Sequence, residues 1–139
     1  MPMGPGPLGF VYFVGVKFAG YSGAAFLLKK SYSEQARSTV LIGAVRTAIG
    51  IATGISYFGL WTVLGKYSHL ADSTILFFLG FLPLRIGEWV LLLYLFFDRT
   101  LKQWSKDSKS VLAGTVWSYC LDAIGVGAML VAPGGMWVC

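Results

Sequence analysis

Histidine, cysteine and acidic side chains are scarce in this sequence: one histidine, two cysteines and six Asp or Glu residues stand among 139. Each scarcity excludes a chemistry. His69 alone cannot build a zinc site, because no further ligands stand at metal-binding spacing. Ser68, His69 and Asp72 have the residue types of a hydrolytic triad, yet they crowd one short link without an oxyanion-forming motif. Cys120 and Cys139 show no C-x-x-C arrangement, and a largely helical path would hold them about 28 Å apart, too far for a disulfide within the chain. Gly-rich phosphate loops and dinucleotide fingerprints are missing too, and Pro133, Gly134 and Gly135 read as a turn after the last helix. The sequence therefore implies no metal and no cofactor, and catalysis ranks behind binding and assembly among its expected roles.

Charge is equally sparse. Charged residues make up 12% of the chain against 56% hydrophobic, with a mean hydropathy of +0.70. These proportions lie outside those of ordinary soluble proteins. A helix needs about 20 apolar residues to cross roughly 30 Å of hydrocarbon, and four such windows fit: Leu8 to Leu28, Val40 to Leu64, Ile75 to Phe97 and Val111 to Val131. Runs such as Leu91, Leu92, Leu93, Tyr94, Leu95, Phe96 and Phe97 are apolar on every side, so the strict alternation of a membrane barrel is missing and helices are the expected spanning elements. The expected fold is an all-α integral membrane protein, a single domain over residues 1–139 built as a four-transmembrane-helix up-down bundle. The first window stays as a span rather than a cleaved signal: Met1 to Pro7 carries no Lys or Arg, and Lys17 interrupts the apolar run, despite small residues at Ala19, Gly20, Ser22 and Gly23.

What charge there is has a direction. The link after the first span carries Lys29, Lys30 and Arg37, and the link after the third carries Arg99, Lys102, Lys106 and Lys109. The middle link has Lys66 alone, and neither terminus has a charged side chain. Basic residues in short links stay on the cytoplasmic side, so links 29–39 and 98–110 are expected there and both termini outside (N-out, C-out), in a bacterial inner (cytoplasmic) membrane. Anionic lipid headgroups, not nucleic acid, account for the net charge of +5, because the cations flank membrane ends instead of forming a stripe. Tyr32, Trp61, Tyr67, Trp104 and Trp137 fall at or beyond the expected span ends, where aromatic rings anchor at the headgroup level.

Five residues of charged type lie inside the windows: Lys17, Arg46, Arg85, Glu88 and Asp122. A charge at the bilayer centre costs about 2.5–3.5 kcal/mol on insertion scales, so such groups face a bundle interior or water and find partners. Counting about 1.5 Å per residue places Lys17, Arg85 and Asp122 roughly 14 Å below the outer boundary. Glu88 lies nearly one turn deeper, on the face of Arg85. These four are expected to form one layer of two cations and two anions. Arg46, roughly 9 Å inside the cytoplasmic end of its window, is expected to snorkel toward headgroups, with no carboxylate at its depth.

Backbone features sit near that layer. Pro83 cannot donate to the carbonyl of Leu79 and is expected to kink the third span just before Arg85. Gly43, Thr47, Gly50 and Gly54 make a thin stripe on the second span suited to close helix contact, within one chain or between copies. Gly125 and Ala128 form a thin side on the fourth, where Ser118, Asp122 and Gly125 share a face expected to look inward.

Three functions fit this pattern. The first is binding or transport of a small anionic molecule or ion at Lys17, Arg46, Arg85, Glu88 and Asp122: the arginines receive a headgroup, carboxylate or phosphate from the cytoplasmic side, and the carboxylates tune charge or protonation. The second is an accessory or assembly subunit of a larger membrane complex or homo-oligomer, with the same residues as a dry polar lock. The third is a lipid-active enzyme using Glu88 or Asp122 as acid or base.

Overall fold

In apolar runs this long the backbone amides have no solvent partner, so each run closes its own ladder of hydrogen bonds. The computed structural model describes residues 7–32, 38–65, 74–100 and 102–129. There the chain forms four helices: α1 (Pro7–Tyr32), α2 (Thr39–Gly65), α3 (Thr74–Phe96) and α4 (Trp104–Met129). Gly9–Tyr32, Thr39–Leu64 and Ile75–Phe96 are long and apolar enough to cross a membrane. Arg37, Lys66, Tyr67, Ser68, His69, Asp72, Val131, Pro133, Gly134, Gly135, Trp137 and Cys139 lie outside the described residues, as does the side chain of Ala128.

Local hydrogen bonds set the helix ends. The Ser38 carbonyl accepts the Ile42 amide at 3.2 Å as α2 begins, and the Leu93 carbonyl accepts both the Phe97 and Asp98 amides as α3 closes. Asp98 Oδ1 then accepts from the Thr100 amide at 2.8 Å and its hydroxyl at 2.6 Å, an aspartate-centred turn toward α4. α4 starts seven residues before the expected window: the Gln103 carbonyl takes the amides of Lys106 and Asp107. Apolarity locates hydrocarbon, whereas a helix begins where its first amides find acceptors and an acid such as Asp107 complements its N-terminal dipole.

Each helix packs on the next in sequence, and α4 returns to α1. The α1–α4 pair is antiparallel: Tyr32 donates to Asp107 at 2.7 Å, the Trp117 indole to the Gly20 carbonyl at 3.0 Å, and Lys17 meets Asp122. α1 and α2 come close at Gly43, where a Cβ would stand 2.9 Å from the Ser22 amide nitrogen and 3.0 Å from its Cα. Backbone cannot rotate away, so Gly43→Ala should lower the midpoint of thermal unfolding in detergent by an overpacking cost of about 1–3 kcal/mol. Gly23→Ala, on a face with nothing within 4 Å, should leave it unchanged.

Polarity runs opposite to that of a water-soluble domain. Lys17, Arg46, Thr47, Arg85, Glu88, Ser118 and Asp122 are buried, while Val11, Leu27, Phe58, Ile75 and Leu112 are exposed. Large apolar side chains outside and charges inside suit a hydrocarbon solvent.

The apolar core of Tyr21, Ala25, Ile42, Trp89, Leu92, Leu93, Phe97 and Leu121 fills the half of the bundle toward Lys29, Lys30 and Arg99. The other half is held by Tyr57, Trp61, Phe77 and Phe81, with ring centroids 4.9–6.1 Å apart. Trp61 therefore packs within an aromatic cluster. α3 runs through Pro83 as one helix, and the Tyr57 and Tyr119 hydroxyls donate to the Phe77 and Phe78 carbonyls, a turn earlier.

Candidate functional site

The five charged residues of the expected windows meet in one buried chain of ion pairs. α1 supplies Lys17, α2 Arg46, α3 Arg85 and Glu88, and α4 Asp122. Asp122 stands between two cations: Oδ1 pairs with Lys17, and Oδ2 accepts from Arg85 Nη2 at 2.8 Å. Glu88 does the same. Its Oε2 pairs with Arg46 Nη2 at 2.6 Å and Arg85 Nη1 at 3.3 Å, and its Oε1 accepts from the Thr53 hydroxyl. The order is Lys17, Asp122, Arg85, Glu88, Arg46, with Arg85 shared by both carboxylates.

Arg46 departs from expectation. It does not snorkel: it is 0% exposed and bound to Glu88. Counted from the window ends nearest the basic links, Arg46 lies roughly 9 Å deep and Glu88 roughly 13 Å, a difference that an extended guanidinium spans. The layer is thus three cations against two carboxylates, a net formal charge of +1 in the interior, not the balanced four-residue set.

Aromatic rings and one hydroxyl hold the cations. The Arg46 guanidinium carbon lies 4.6 Å from the Tyr21 ring centroid and 5.1 Å from that of Trp89, and the Arg85 carbon 4.7 Å from Phe81. Desolvated contacts of this kind contribute about 2 kcal/mol each. The Ser118 oxygen lies 3.0 Å from Trp89 Nε1, 3.3 Å from the Tyr21 hydroxyl and 3.4 Å from Arg46 Nη2. Gly114 makes room for the indole, since a Cβ there would stand 2.5 Å from Trp89 Cε2. Tyr21, Trp89 and Thr53 were not singled out by sequence. Their signal was helical spacing: Tyr21 follows Lys17 by four, Trp89 follows Arg85 by four, and Thr53 follows Arg46 by seven.

Even with these partners, donors are left over. Among the described residues, Arg46 Nε and Nη1 and Arg85 Nε are buried without a hydrogen-bond acceptor. Phe13, Lys17, Tyr21, Thr47, Gly50 and Ile51 line a cavity of about 10 Å³, near the minimum that admits one water. Among the described residues no group of three His, Cys, Asp or Glu side chains stands where it could hold a metal ion. Electrostatically the site is a cation-rich cluster with spare N–H donors.

No protein-family model matches the chain, and no curated protein or solved structure matches it either.

Proposed function

We propose that the protein is a four-span membrane protein, N-out and C-out, that binds or transports a small anion at Lys17, Arg46, Arg85, Glu88 and Asp122. One observation carries this reading: three cations face two carboxylates and leave three guanidinium nitrogens with no acceptor among the described residues. A buried donor without a partner costs about 1–3 kcal/mol, more when charged, and an anion removes that penalty while neutralising the excess charge.

The antiparallel α1–α4 pairing and the place of Asp122 in the chain of ion pairs support α4 as a fourth span. Lys29, Lys30, Arg99, Lys102, Lys106 and Lys109 at one end support a cytoplasmic assignment for that end. The small cavity beside Lys17 disfavours a lipid headgroup as ligand and with it the lipid-active enzyme reading.

Isothermal titration of the purified protein in detergent with sodium salts of chloride, bromide, nitrate and phosphate tests the proposal. Saturable binding of at least one anion is expected, weakened about tenfold or more in Arg46→Gln by loss of a charged hydrogen bond. Wild-type protein that binds none of them would sink it. The second reading, an assembly subunit held by a polar lock, draws on the smallness of the same cavity. Its signature is a stoichiometric membrane subunit that co-purifies in mild detergent, with no anion bound.

A further inference from the structure

We infer that the basic groove at the start of α4 seats the phosphate of an anionic phospholipid headgroup, at a site separate from the buried ion-pair cluster. The inference rests on the membrane-spanning reading above and is independent of whether the cluster binds an anion.

Lys102, Gln103, Trp104, Ser105, Lys106 and Lys109 line an open groove of about 610 Å³, room enough for a headgroup. Lys109 follows Lys106 by three positions, and Lys102 precedes it by four, so three ammonium groups share one groove. Lys102 and Lys109 are exposed, and among the described residues neither has an ion-pair partner. The nearby acids are engaged elsewhere: Asp107 is 4% exposed and accepts from Tyr32 at 2.7 Å, and Asp98 accepts from the Thr100 amide and hydroxyl. Like charges at such spacing repel, and an anion among them removes that repulsion.

Height selects the source of the anion. Lys106 Nζ donates to the Ser31 carbonyl at 2.6 Å and lies 4.1 Å from the Tyr32 ring centroid, which ties the groove to the end of α1. Ser31 stands three residues beyond Leu28, where the first apolar window ends, a rise of about 4.5 Å. The headgroup layer extends roughly 5–8 Å past the hydrocarbon, so the groove opens at the level of lipid phosphates rather than in free solution. Trp104, 77% exposed in its wall, has the amphipathic side chain favoured at that level.

The test is native mass spectrometry of the detergent-purified protein titrated with phosphatidylglycerol or phosphatidylcholine. Wild type is compared with Lys102→Gln/Lys109→Gln and with Lys29→Gln/Lys30→Gln, each checked for folding by thermal unfolding. Both double variants remove two charges from the same end, but Lys29 and Lys30 do not line the groove. Phosphatidylglycerol should bind wild type in preference to phosphatidylcholine. It should bind Lys102→Gln/Lys109→Gln about tenfold or more weakly, at roughly fivefold per lysine, and Lys29→Gln/Lys30→Gln nearly as wild type. Equal losses in the two variants overturn the groove in favour of a diffuse basic field, and equal binding of the two lipids overturns the anionic preference. Displacement of phosphatidylglycerol by equimolar inorganic phosphate overturns the lipid as the source. Should the groove variant fail to fold, Lys109→Gln alone should bind about fivefold more weakly, and unchanged affinity there counts against the inference. Release of the native protein from membranes by alkaline carbonate would overturn the membrane-spanning reading instead.

Discussion

Glu88→Gln should destabilise the protein by about 3–5 kcal/mol, the cost of removing one partner from a buried ion pair, whereas Lys17→Met should cost much less. Glutamine preserves the shape of Glu88 but leaves Arg46 and Arg85 facing each other without the carboxylate that joins them at 2.6 and 3.3 Å. The interior then holds three cations and one anion. Lys17→Met moves the other way, to two cations and two anions, and keeps an unbranched apolar stem beside Phe13. Asp122 keeps Arg85 Nη2 as a partner at 2.8 Å, so it is not left as an unpaired buried charge, the situation that carries the full cost. Chemical unfolding in mixed detergent micelles would read the asymmetry. Equal losses from the two variants would mean that the excess positive charge of the cluster is compensated by something other than these residues.

Trp89→Ala should cost about 3 kcal/mol or more, and Trp89→Phe considerably less. The indole is 1% exposed and among the largest fully buried side chains. It packs edge-on to Tyr21 with centroids 6.0 Å apart, lies in the slot left by Gly114, donates to Ser118 at 3.0 Å and sits against the Arg46 guanidinium. Alanine leaves a cavity that flanking Gly114 and Ser118 cannot fill. In a hydrocarbon solvent the loss falls on packing contacts rather than on transfer from water, which places the effect at the low end for aromatic truncations. Phenylalanine keeps much of the ring contact and loses chiefly the hydrogen bond, about 1 kcal/mol. Because Arg46 rests on this ring, Trp89→Ala should also weaken anion binding, while Trp89→Phe should largely retain it.

Much of the site was legible before any packing was known. Lys17, Arg85 and Asp122 could be placed at one depth because a helix rises uniformly, and Glu88 could be joined to Arg85 because three positions return to the same face. The same arithmetic misjudged Arg46. Depth was measured between backbones, while the guanidinium reaches several ångströms along the axis, and a window edge near Val40 made a position seem shallow that the neighbouring helices bury completely. The start of α4 was misplaced for a related reason. Lys106, Asp107 and Lys109 are polar, and polarity ends an apolar window without ending a helix. Ser118 was expected on an inward face with Asp122, but its place among Trp89, Tyr21 and Arg46 required knowledge of which helices flank it.

The amino-acid order by itself determined that this chain is helical and that charges in its apolar helices must find one another; of the four windows it offered, three became helices long and apolar enough for a membrane. These follow from one-dimensional quantities, the length of apolar runs and the rise per residue, together with the cost of charge in hydrocarbon. The tertiary structure alone decided which cation meets which carboxylate, that Arg46 joins the cluster, and that the glycines at 43, 50 and 114 admit a backbone, a guanidinium and an indole. Those outcomes depend on the rotation of each helix about its axis and on side-chain reach, and neither is fixed until four apolar surfaces pack against one another.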